Sequence, residues 1–147
     1  MSALKRIFAV VLIVTAIVVA VNWMITPTYH DGSNTYPVWK VINWFTGFAV
    51  LVCLIVNYTR KRALGKGAAD SPITREYLEV NLAFYASLLL VPWFFTNFFT
   101  YDLFPGNMPT TAMESKDVWW EFIDGAFMLV AGATGFHLWR DASEPVT

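Results

Sequence analysis

Four apolar runs, each about 20 residues long, constrain this chain more than any other feature. They cover approximately residues 7–25, 38–58, 80–100 and 118–139. Each is long enough to cross the hydrocarbon core of a bilayer as a helix. Together they take more than half of the 147 residues, which leaves too little for a second domain with its own core. The expected fold is an all-α integral membrane protein, a single domain built as a four-transmembrane-helix bundle. Composition agrees with this. The chain is 56% hydrophobic, 17% aromatic and 14% charged, with a mean hydropathy of +0.49. That is too apolar for an ordinary water-soluble domain.

The first run has two readings. Lys5 and Arg6 followed by an apolar stretch have the shape of a secretory leader. The run continues through Trp23, Met24 and Ile25, however, and that length favours a retained span.

Orientation follows from the basic residues. Lys5, Arg6, Arg60, Lys61, Arg62, Lys66, Arg75 and Arg140 fall on one side of the four spans, and only Lys40 and Lys116 on the other. The side rich in lysine and arginine is the cytoplasmic one. Both termini are therefore expected in the cytoplasm, with residues 26–37 and 101–117 facing outward. Trp23, Tyr29, Tyr36, Trp39, Tyr101, Trp119 and Trp120 lie near the outer boundary, and Tyr58, Tyr77 and Trp139 near the inner one. Rings with one polar edge settle at headgroup level, so their placement supports the same boundaries. The short connections fit a bacterial inner (plasma) membrane.

Local signals refine two helix starts. Asp70-Ser71-Pro72 offers a cap followed by proline at the first helical position, so the third helix is expected to begin near residue 72. Thr111 and Glu114 have capping-box spacing ahead of the fourth. Pro92 is expected to loosen or bend the third helix. Among the asparagines, Asn43 and Asn97 are the expected interhelical hydrogen-bond formers, while Asn22, Asn57 and Asn81 sit near span ends where solvent can satisfy them. Gly125, Gly132 and Gly135, with Ala131, would let the fourth helix approach a neighbour closely, and Gly47 would do so for the second.

Glu114, Asp117, Glu121 and Asp124 recur at spacings of three, four and three, so on one continuous helix they share a face. Like charges at such spacings repel and call for cations, protons or hydrogen-bond donors. The plainer account is that acids favour the amino end of a helix, where they meet its partial positive charge. Ahead of them, residues 91–101 read VPWFFTNFFTY. Trp93, Phe94, Phe95, Phe98 and Phe99 form an aromatic collar around Asn97. Facing the acidic stripe, that collar would make a pocket for a cationic or amphipathic ligand. Facing lipid, it is an ordinary aromatic belt. The candidate ligand- or cation-binding set is therefore Glu114, Asp117, Glu121 and Asp124, with Lys40 as counter-ion and Trp93, Asn97 and Trp120 as lining.

Other classes fare poorly. A net charge of −1 argues against a nucleic-acid binder. A lone cysteine, Cys53, allows neither an internal disulfide nor a C-x-x-C pair. No P-loop, G-x-S-x-G, H-E-x-x-H or dinucleotide fingerprint is present. No catalytic residue, metal ligand set or cofactor is indicated. His30 and His137 fall on opposite sides of the expected membrane, so they cannot share a metal.

These features favour a non-catalytic accessory or assembly subunit, whose partner is a larger membrane protein or a second copy of the chain. The alternative is a small transporter or ligand-binding membrane protein working through Glu121 and Asp124 beside the aromatic collar. A third reading is a membrane enzyme with an outer-face metal site that uses His30 and Asp117.

Overall fold

A computed structural model describes residues 2–30, 37–65, 74–104 and 116–143, with the backbone alone for Ser2, Lys116 and Asp117. The described residues are helical almost throughout. Helix α1 spans Ser2–Tyr29, α2 Pro37–Gly65, α3 Arg75–Asn97 and α4 Lys116–Ser143. A π-helical turn, Phe98–Leu103, continues α3. All four helices are long and apolar enough to cross a membrane. A 28-residue helix such as α1 rises about 42 Å, beyond the ~30 Å of a hydrocarbon core.

The helices overrun the apolar runs because backbone hydrogen bonding does not stop where apolarity does. Helix α1 passes Ile25 and includes Pro27. Proline withholds an N–H there; separately, the flanking threonines bond back to their own helix, Thr26 Oγ1 donating to the Asn22 carbonyl at 2.6 Å and Thr28 Oγ1 to that of Ile25 at 2.6 Å. Helix α3 begins later than residue 72. Thr74 is extended, and its hydroxyl accepts the Tyr77 N–H at 3.1 Å. Thr74 is thus the cap of the described helix, its oxygen three residues ahead of the N–H it satisfies; Asp70, Ser71 and Pro72 lie outside the described residues. The capping pair Thr111 and Glu114 lies outside the described residues.

The chain's first and last helices make the most extensive pairing. Helix α1 packs chiefly on α4, and α2 on α3, while α3 also meets α4. Ala9, Leu12, Ala16 and Val19 form the buried face of α1, and Ile123, Phe127, Ala131 and Leu138 are buried on α4. Gly135 makes this seam close. A Cβ there would stand 2.8 Å from Ile13 Cγ1 and 3.1 Å from the Ala9 carbonyl oxygen. Gly125 and Gly132 do not share this role, since a Cβ at either meets nothing within 4 Å. On α2, a Cβ at Gly47 would approach the Phe94 ring to 3.1 Å.

The surface is far more apolar than that of a water-soluble bundle, and the mostly apolar core also holds polar side chains. Leu82, Leu89, Leu129, Phe136, Trp44 and Phe45 are exposed, whereas Thr46, Asn57, Ser87 and Thr134 are almost fully buried. Helix α3 runs on through Pro92 and changes to π geometry only at Phe98. The aromatic collar divides between core and surface. Phe94 and Phe98 are buried and stacked at 5.7 Å, Trp93 and Phe95 are half-buried, and Phe99 is exposed.

Candidate functional site

The start of α1, the end of α2, the start of α3 and the end of α4 lie at one end, called proximal here. The end of α1, the start of α2, the π turn and the start of α4 lie at the other, distal end. Most of the sequence-derived site residues sit in the distal third. The π turn decides what meets there. Phe104 N–H bonds the carbonyl of Phe99, five residues back, at 2.9 Å. That wider turn shifts the residues after Phe98 from the register an α-helix would give them. Asp102, on this turn, accepts a hydrogen bond from Asn43 Nδ2 of α2 at 2.6 Å. From α4, Asp124 is only 3% exposed, and Asp102 is close enough to act on it by charge.

Two oxygens at this place are short of partners. Asp124 Oδ1 and Asn43 Oδ1 are both buried and accept no hydrogen bond. Buried polar atoms are rarely left so, and a buried carboxylate needs a proton, a cation or donors. The region holds two carboxylates from two elements, and an amide on a third element already donates to one of them. It suits a proton or a hard, oxygen-seeking cation better than a soft metal. Among the described residues, no group of three His, Cys, Asp or Glu side chains is placed to hold a metal ion.

A second distal network ties α1 to α2. Trp39 Nε1 donates to Thr26 Oγ1 at 2.9 Å, and Tyr29 Oη donates to Asn22 Oδ1 at 2.9 Å. Asn22 is therefore buried and hydrogen-bonded, not solvated at a span end. Asn57 departs from expectation in the same way. It is fully buried, and its Nδ2 donates to Ser87 Oγ of α3 and Thr134 Oγ1 of α4, each at 2.9 Å. Asn97 was the expected cross-helix donor, but it turns back to the Trp93 carbonyl of its own helix at 2.9 Å.

The remaining candidates separate. Glu121 is exposed while Asp124 is buried. A step of three residues rotates about 60° around the axis, enough to carry one carboxylate from the rim into the bundle. Lys40 is exposed and forms no ion pair with Asp124. The Trp93 ring packs on Trp119 at 6.2 Å, and the Trp120 ring on Phe94 at 5.7 Å, so both belong to the ring cluster. Glu114 and the Asp117 side chain lie outside the described residues. Asp102 was not singled out in the sequence. It reads there as the start of a loop, and only the continuation of the helix after Phe98 brings it to Asn43.

Comparison of the chain with protein-family models, with curated proteins and with solved structures finds no match in any of the three.

Proposed function

We propose that this chain is a four-helix integral membrane protein, both termini cytoplasmic, that binds a proton or a small cation at Asn43, Asp102 and Asp124. It acts as a small transporter or ligand-binding membrane protein of the bacterial plasma membrane. The observation that carries this reading is Asp124, a carboxylate 3% exposed with an unpartnered oxygen and a second carboxylate beside it. Keeping such a group in an apolar bundle is costly, and ionisable residues retained there mark ion or proton sites. The apolar girth supports insertion. The excess of basic residues at the proximal end supports the orientation.

The test is flux in proteoliposomes, read with an entrapped pH dye for protons and with a sodium tracer. The wild-type chain should move one of the two probes. Asp124→Asn should reduce that flux at least about tenfold while keeping its helicity and melting behaviour. Full flux in that variant would remove the central residue from the proposal.

An accessory or assembly subunit remains the second reading. Trp44, Phe45 and Phe48 on α2 favour it, being 61%, 63% and 53% exposed. Within a bilayer these rings face lipid, a larger partner or a second copy. Gentle extraction followed by native mass spectrometry separates the cases. A stoichiometric larger partner supports the subunit reading, and a lone chain counts against it.

A further inference from the structure

At the proximal end, α2, α3 and α4 leave an open groove of about 520 Å³, lined by Arg60, Arg75, Glu76, Glu79, His137 and Arg140. Its charges do not cancel. Arg75 and Glu79 pair at 2.7 Å, which leaves Arg60 and Arg140 against Glu76 in the lining, with Asp141 also acting on His137 from its own helix. Neither Arg60 nor Arg140 pairs with a carboxylate among the described residues. Helix α3 starts at Arg75, so its amino-terminal partial positive charge falls at the same place. The His137 Nδ1 atom is buried there without a hydrogen-bond partner.

We infer that this groove binds a phosphate-ester anion, and that the anion is the headgroup of an acidic phospholipid. Guanidinium forks match phosphate oxygens in geometry and charge. The lipid source is favoured by what leads away from the groove. Leu78, Leu82 and Leu89 form an exposed apolar stripe on α3, at helical spacing, starting beside Glu79. An acyl chain has an apolar track there while its phosphate sits among Arg60, Arg140 and His137. Lys61 does not compete for the anion, because its ammonium lies 3.9 Å from the Tyr85 ring centroid and 4.3 Å from that of Phe84. It reinforces the positive field beside the groove. The inference rests on the membrane reading above and is independent of the distal carboxylates.

The experiment uses the full chain, purified and delipidated in neutral detergent. Melting is followed with added phosphatidylglycerol, phosphatidylcholine or inorganic phosphate. Phosphatidylglycerol should raise the melting temperature by about 5 °C more than phosphatidylcholine and stay bound in native mass spectra. Arg60→Gln with Arg140→Gln should remove that difference, and Arg60→Lys with Arg140→Lys should restore part of it. If inorganic phosphate alone gives the whole shift, the anion site stands and its ligand is a solute. Equal shifts with both lipids, or an undiminished phosphatidylglycerol effect in the glutamine pair, would overturn the inference. Flotation with phosphatidylcholine vesicles reports membrane insertion separately, so failure of the groove is not confused with failure of the membrane reading.

Discussion

Two glycines three residues apart on α4 give an internally controlled test of the packing. A Cβ at Gly135 lies 2.8 Å from Ile13 Cγ1, 3.1 Å from the Ala9 carbonyl oxygen and 3.2 Å from Leu12 Cβ. A Cβ at Gly132 meets nothing within 4 Å. Replacing either glycine by alanine gains about 1 kcal/mol of helix propensity. Only Gly135→Ala also forces α1 to move, because the Ala9 oxygen is backbone and cannot swing aside. Overpacking of this kind costs about 1–3 kcal/mol. Propensity cancels between the two variants, so Gly135→Ala should be less stable than Gly132→Ala by that same ~1–3 kcal/mol. Gly135→Val should widen the gap further. Equilibrium unfolding in mixed neutral and anionic micelles, followed by tryptophan fluorescence, measures it. If the two alanine variants agree within about 0.5 kcal/mol, α1 does not lie against Gly135 and the α1–α4 pairing is wrong.

Asn57→Ala should destabilise the bundle by about 1–3 kcal/mol, since it removes two interhelical hydrogen bonds, each worth about 0.6 kcal/mol, and leaves a small void. Ser87→Ala should cost less in the same unfolding assay, and additive losses in the double variant would show that the two side chains are not coupled. Cys53 is fully buried, so the folded protein should resist a maleimide that labels it promptly after denaturation. Rapid labelling of the folded chain would place Cys53 of α2 on the surface.

Much of the framework is legible in the residues. Runs of about 20 apolar side chains force helices, because hydrocarbon offers no partner for a backbone N–H or carbonyl. Hence four helices long enough to span were expected, and four are present. Their ends were less legible. Thr74 caps α3 because several residues in that stretch can cap, and backbone geometry chooses among them. The asparagines show the same limit. Distance from a span end suggested that Asn57 meets water, yet Ser87 and Thr134 arrive from two other helices to meet it.

At the distal cluster the division is sharpest. The spacing of Glu121 and Asp124 placed two carboxylates near one face of α4, since helical periodicity is a local property. Which of them enters the bundle depends on how α4 is rotated against α1 and α3, and no local pattern encodes that rotation. Asp102 reaches Asn43 only because the chain after Phe98 keeps coiling in a wider turn. By itself, the sequence determined the number of long apolar helices and the presence of acidic residues near the start of the fourth. The tertiary structure alone decided that α1 pairs with α4, that Asp124 is buried with an unpartnered oxygen, and that Asp102 and Asn43 join it. Contacts between residues far apart in sequence depend on how whole helices pack, and that packing is settled only when all four are assembled.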